Sequence, residues 1–421
     1  MRSRMVTLVL TLACLTMCSG LHAQLPAIQQ KELGELPPCV HADSTAALRF
    51  PGDTMALGHF HALLDSLTSG VPGQINIWHI GGSHVQGGIF SYRLMTNLQN
   101  AVPGLKGDRG FLFPYRLAST NQDKTYICSS TGEWTGARAS KPSKTFKPRY
   151  GITGLAARTE DSTATVSFNL RISADSCYTF DAVRVLGYPE GEAFPIVLSG
   201  ADTLHFEEDS TGIGYMFRLP EMTDSVTVGF SIKPGASFTF RGIQPISGRS
   251  GINYFASGVN GAMLSTWLDR CEDMPAELPL VRPDLAIFAL GINDSACKQA
   301  DFNVERFKNN YRRLVAHVRA VNPDCDIIFI TNNDSYRWSR RTLTYNYNGA
   351  TVQQAMYELA QEAGAAVWDL YEIMGGRQSV LGWQDAGLVR KDRIHFTHRG
   401  YVLLGDMLYN AIVDDYYKNR E

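Results

Sequence analysis

Four short segments set reactive side chains beside turns. Ser83 follows Gly81-Gly82 and precedes His84, with Gly87 and Gly88 one turn later. These glycines permit a tight turn and close approach by a substrate, and a hydroxyl there stands beside helical amides that favour developing negative charge. Serine is a weak nucleophile until a base takes its proton, and the base needs a carboxylate to hold its tautomer. Asp392-Arg393-Ile394-His395 supplies both, because a three-residue spacing on a turn sets acid and imidazole side by side. Asn293, in Gly291-Ile292-Asn293-Asp294, offers a neutral amide donor to a tetrahedral oxyanion, and one such donor is worth ~2.7 to 4 kcal/mol. Ser257-Gly258-Val259-Asn260-Gly261-Ala262 offers a second donor, the backbone N–H of Gly261, at a point where a side chain is expected to block approach. Singly, each segment has a plainer explanation: a Gly/Ser turn, a surface Asp/His pair ahead of a helix, an Asx turn, another glycine turn.

The elements around these segments read as an interrupted α/β domain. A helical pattern at 57–67 precedes an apolar strand at 75–80, which runs into the glycine turn and a second helical pattern through Ile89, Tyr92, Leu94 and Leu98. Strand, glycine turn and helix in that order is an α/β signature. From about 119 to 248 the period falls to two: Val166, Phe168, Leu170 and Ile172 alternate with polar neighbours, as do Val226, Val228, Phe230 and Ile232. Short candidates at 182–186, 196–198, 215–219 and 237–240 complete the pattern of an antiparallel β-sandwich. After about 250 the rhythm returns, with strands at 285–290, 327–331 and 366–370 and helices at 304–321, 351–363 and 401–416. Such alternation implies right-handed crossovers and a parallel sheet with its reactive residues at the strands' carboxyl ends.

Taken together, the four segments resemble the SGNH, or GDSL, hydrolase family in identity and order. The resemblance implies a three-layer α/β/α, flavodoxin-like fold, with Ser83 as nucleophile, Asp392 and His395 completing its triad, and the Ser83 amide, Gly261 amide and Asn293 side chain forming the oxyanion hole. The family's Gly-Asp-Ser is Gly81-Gly82-Ser83 here, so a side chain that usually braces the turn is missing. With His84, the segment is similar to the Gly-Asp-Ser-His variant of exported bacterial polysaccharide and peptidoglycan O-acetylesterases. That lineage also holds a carbohydrate-binding-module-like β-sandwich between the nucleophile and the second glycine block. The implied division is 24–118 and 249–421 for the hydrolase, with 119–248 as the insertion. His84, Asn333, Tyr336, Trp338, Trp383 and Gln384 are read as residues that shape a sugar-binding wall.

The N-terminus reads as a secretory signal. Arg2 and Arg4 precede an apolar run at 5–15, too short to cross ~30 Å of hydrocarbon, and Ala23 suits cleavage. A lipoprotein anchor competes poorly, because Met17 precedes Cys18 where a small residue is wanted and Cys14 lies inside the apolar run. The expected product is a soluble periplasmic or cell-surface protein. Removing 1–23 leaves 37 basic and 41 acidic residues, a charge of −4, and no five-residue basic run marks a nucleic-acid partner. Six cysteines remain (Cys39, Cys128, Cys177, Cys271, Cys297 and Cys325) without zinc-site spacing. His59, His61, His395 and His398 have no carboxylate or cysteine cluster to complete a metal set, so no metal or other cofactor is expected. The expected activity is removal of O-acetyl groups from a glycan, peptidoglycan first. Alternatives are deacetylation of xylan or capsular polysaccharide, acetyl transfer to a sugar, or a glycan-binding surface protein with a decayed site.

Overall fold

A computed structural model describes residues 27–418 apart from 53–54, 173–176 and 201; the segment 1–23, read as a signal from the sequence, lies outside the described residues. Five strands form a parallel sheet: β1 (Gln74–Gly81), β2 (Gly251–Gly258), β3 (Leu285–Ala289), β4 (Asp326–Ile330) and β5 (Ala366–Trp368), in the order β2-β1-β3-β4-β5. Both faces are covered, so these strands carry nearly unbroken apolar runs. On one face Phe90 packs on His79 and Trp368, and on the other Tyr311 packs on Phe288 and Phe329.

The first face carries α1 (Gly58–Thr68), α3 (Ile89–Gln99) and the closing α8 (His398–Lys418), while α2 (Ser83–Gln86) is the short turn of helix after β1. Arg93 on α3 holds Asp406 on α8 at 2.6 Å, and the Tyr416 hydroxyl donates to Asp65 on α1 at 2.6 Å. The second face carries α4 (Leu264–Asp269), α5 (Val304–Val321) and α6 (Gly349–Ala363), tied by Arg313 to Asp269 at 3.0 Å and Lys308 to Glu358 at 2.7 Å. α7 (Val380–Asp385) precedes the Asp392 loop.

Between β1 and β2 the chain builds two five-stranded antiparallel sheets. One orders Ile127–Thr131, Thr165–Asn169, Ser225–Ile232, Ala193–Ser199 and Asp202–Leu204; the other Thr135–Arg138, Leu155–Thr159, Ser237–Ile246, Phe180–Glu190 and Tyr215–Thr223. They meet face to face, with Phe230 against Phe238 and Phe240 at 5.2 and 6.1 Å. The segment leaves and re-enters the α/β part at adjacent points, since Leu112 and Ile243 exchange both backbone hydrogen bonds at 2.8 and 2.9 Å.

Several elements depart from the sequence reading: the inserted sheets hold strands at Ile127–Thr131, Thr135–Arg138, Leu155–Thr159 and Asp202–Leu204 that periodicity did not mark, and the strand through Val166 ends at Asn169 and leaves Ile172 exposed. β2 was not expected, because Gly-Ile-Asn-Tyr-Phe-Ala-Ser-Gly lacks alternation and is flanked by glycine; it is a strand because both of its faces are buried. A hairpin of Tyr336–Ser339 and Thr342–Tyr345 follows β4, where only recognition side chains were anticipated.

Candidate active site

The order β2-β1-β3 reverses direction at β1, which is where ligands bind in open α/β sheets. Ser83 leaves the end of β1, Gly261 follows β2 and Asn293 follows β3, so three of the four segments converge there. Ser83 is the first residue of α2, with its amide among the unsatisfied N–H groups of a helix start. Its hydroxyl donates to His395 Nε2 at 2.8 Å, and His395 Nδ1–H donates to Asp392 Oδ2 at 2.9 Å. The second Asp392 oxygen accepts the backbone N–H groups of Ile394 and His395 at 3.0 and 2.9 Å, so the carboxylate closes its own turn. Burial pushes the Asp392 carboxyl up, but the His395 ring and these two N–H groups outweigh it and hold it well below the usual carboxylate range. The acid is therefore charged whenever the imidazole needs its countercharge. Arg393, at φ +54°, makes the sharp bend between acid and base.

On the oxyanion side, Asn293 donates one Nδ2 hydrogen to the Ala262 carbonyl at 2.9 Å, which aims the amide and leaves its second hydrogen available. Gly261 has φ +79°, and its N–H meets no acceptor among the described residues. A Cβ there would approach Ser140 no closer than 4.0 Å, so among the protein's own atoms it is the left-handed backbone that demands the glycine. At Gly82 the pressure is steric: a Cβ would stand 3.1 Å from Asn293 Nδ2. Asp294, half-buried beside Asn293, accepts the N–H of Leu264 at 3.1 Å and secures the start of α4.

A serine hydroxyl bonded to imidazole, with amide donors converging beside it, can attack an acyl carbon and stabilise the resulting alkoxide. The family model for GDSL-like lipase/acylhydrolases matches residues 224–403, a span containing Gly261, Asn293, Asp392 and His395, with Ser83 on the far side of the inserted sheets. Residues 224–403 are thus similar to GDSL-like lipase/acylhydrolases. The protein is an ester-hydrolysing enzyme with the SGNH hydrolase fold and additional antiparallel sheets. A solved structure titled as a peptidoglycan O-acetylesterase in action is 21% identical, covers 88% of this chain and 99% of its own, and superposes with a TM-score of 0.71. An acetyl xylan esterase (14% identity, 40% of this chain and 81% of its own, TM-score 0.29) and a GDSL-like lipase of Bacteroides thetaiotaomicron (19%, 39% and 76%, 0.30) are more distant. No curated protein sequence matches.

The wall residues separate into two groups. Trp383 is 0% exposed, and its indole N–H donates to the carbonyls of Cys39 and Met374, so it is a core residue of the acylhydrolase and not a sugar platform. Asn333 is also buried; its amide donates to the Ile394 carbonyl at 3.1 Å and steadies the loop carrying His395 instead of facing a substrate. His84 packs behind His395, its Nδ1 bonded to the Tyr401 hydroxyl at 2.8 Å. Burial, and next the neighbouring His395, push it down to about 3, so His84 stays neutral there. Gln384, half-buried, accepts from Arg393 Nε at 2.8 Å. Tyr336 is half-buried beneath the Arg393 guanidinium, and Trp338 stands 59% exposed on the hairpin.

The sequence reading missed the clamp around Asn260. Ser140 Oγ–H donates to the Asn260 carbonyl at 2.6 Å, Asn260 N–H donates to Gln86 Oε1 at 2.6 Å, and the amides of Asn260 and Gln86 share Thr120 Oγ1 at 2.9 and 3.0 Å. Gln86 lies one turn after Ser83, a spacing that could have flagged it.

Proposed function

We propose that the protein is an exported carbohydrate O-acetylesterase, with peptidoglycan O-acetyl groups as first substrate. The observation that carries this reading is the relay from Ser83 through His395 to Asp392 beside the N–H of Gly261 and the Asn293 amide. Ser83 Oγ adds to the acetyl carbonyl carbon while His395 Nε2 takes its proton, and the oxyanion sits on the Ser83 and Gly261 amides and the Asn293 side chain. Collapse breaks the bond to the sugar oxygen, which leaves with the His395 proton. Water, deprotonated by His395, then frees acetate from Ser83. Likeness in fold to a structure titled peptidoglycan O-acetylesterase, over 88% of this chain, supports the choice of glycan ester. The signal-like pattern at 1–23 supports export.

Purified protein is expected to release acetate from O-acetylated peptidoglycan, and Ser83→Ala to lose at least about a thousandfold in rate. Equal release by the variant overturns the assignment. New ester on an added glycan acceptor, in place of free acetate, marks acetyl transfer.

A further inference from the structure

Two stretches of the chain that contain Lys and Arg but no Asp or Glu flank the candidate active site. Residues 134–149 carry Arg138, Lys141, Lys144, Lys147 and Arg149, and 336–347 carry Arg337, Arg340 and Arg341. The first reaches the oxyanion side directly, since Ser140 bonds the Asn260 carbonyl next to Gly261. The second reaches the base: Tyr336 N–H donates to the Arg393 carbonyl at 2.9 Å, inside the Asp392 to His395 turn, and the Arg393 guanidinium lies 4.6 Å over the Tyr336 ring. Arg390 and Lys391, at the start of that turn, add two exposed cations.

The chain as a whole has a formal charge of −2, and many of its arginines elsewhere are neutralised, among them Arg93 by Asp406 and Arg312 by Glu362. Beside the site the pattern inverts. Among the described residues Lys141, Lys144, Lys147, Arg340, Arg341 and Arg390 are exposed and none has a carboxylate within 4 Å. Asp334, the acid just before the second stretch, is buried and bonded to Tyr345. These cations outnumber the exposed carboxylates at the margins, Glu133 and Asp385, and raise the positive potential on the two sides of the site, and exposed Trp338 on the second stretch offers an apolar surface to a sugar ring.

We propose that the acetylated polymer carries carboxylates, which these two basic walls bind on either side of the ester. This rests on the glycan-esterase reading and narrows it to anionic glycans, with the charge on a peptide branch or on the sugar itself. The test compares kcat/KM on O-acetylated peptidoglycan, acetylated polygalacturonate and a neutral acetylated xylo-oligosaccharide between about 20 and about 300 mM salt. The acidic polymers are expected to lose about tenfold and the neutral one less than about twofold. The quadruple variant Lys141→Gln, Lys144→Gln, Arg340→Gln, Arg341→Gln is expected to lower kcat/KM on the acidic polymers about tenfold and flatten their salt response. A larger effect on peptidoglycan places the charge on peptide branches, and a larger effect on polygalacturonate places it on the sugar. Equal salt responses for acidic and neutral polymers, or an unchanged slope in the variant, overturn the proposal while leaving the esterase reading intact. Turnover of 4-nitrophenyl acetate without acetate release from any polymer overturns the glycan reading as well.

Discussion

The peptide unit joining Asn260 to Gly261 is held through its carbonyl by Ser140, a residue from the inserted sheets. Because the unit is planar and trans, its C=O and N–H point in opposite directions, so fixing the carbonyl on Ser140 fixes the Gly261 N–H on the other side. The same bond polarises that N–H and makes it a better donor. Ser140 is then a positioning residue. Ser140→Ala is expected to lower kcat for 4-nitrophenyl acetate about tenfold with KM within about twofold, and Ser140→Thr to restore most of the loss. An unchanged kcat in the alanine variant excludes the clamp. Ser83, Asn293, Asp392 and His395 could be singled out in the sequence because four short segments, each ambiguous alone, together resemble one family's motif order. Ser140 was not, because a lone serine is common and its partner lies 120 positions away.

At the scale of elements, Asp294 shows how the turn after β3 also braces a helix. Its carboxyl, pushed up to about 6 by burial, accepts the first N–H of α4. An ordinary aspartate ionises near 3.8, so between these values the folded state binds more protons than the unfolded one and stability falls as pH rises. Asp294→Asn keeps the acceptor oxygen and removes the titration. Relative to this variant, the parent protein is expected to lose stability progressively from about pH 4 to about pH 7, read as the difference in Tm. A constant difference contradicts the assignment. Periodicity located α5 at its observed bounds and most of the parallel strands nearly so, since those segments bury one stripe or two faces with little polar interruption. It missed β2, whose Asn253 and two terminal glycines look like loop until Asn253 is seen bonding Asn76 on β1 at 3.0 Å. Trp383 misled for the converse reason: an aromatic near a reactive pair reads alike whether it points outward or into the core.

At the scale of the whole molecule, a buried polar seam joins the inserted sheets to the α/β part. Arg241, on the strand that ends the insertion, pairs with Glu277 at 2.5 Å and also with Asp273, while Glu277 accepts the Ile152 N–H at 2.7 Å. Glu277 is 2% exposed, and burial raises its carboxyl in spite of Arg241 beside it. Removing Glu277 leaves buried Arg241 with half-buried Asp273 as its remaining carboxylate and orphans the Ile152 N–H, and breaking a buried pair typically costs about 3 to 5 kcal/mol. Glu277→Ala is expected to destabilise the protein by that order in urea unfolding, with activity lost earlier than the central-sheet signal, because the seam carries Ser140 to Gly261. Loss below about 1 kcal/mol shows that the seam is solvated.

The sequence by itself pointed to ester hydrolysis, through the combined resemblance of four segments, and to a parallel sheet, since the period of burial is a local property of the chain. Folding settled which side chains face one another: that Ser83 and His395, 312 positions apart, lie 2.8 Å apart, that Gly82 leaves room for Asn293, and that Ser140 holds the peptide between Asn260 and Gly261. Those are distances between segments brought together by packing, and no spacing along the chain encodes them.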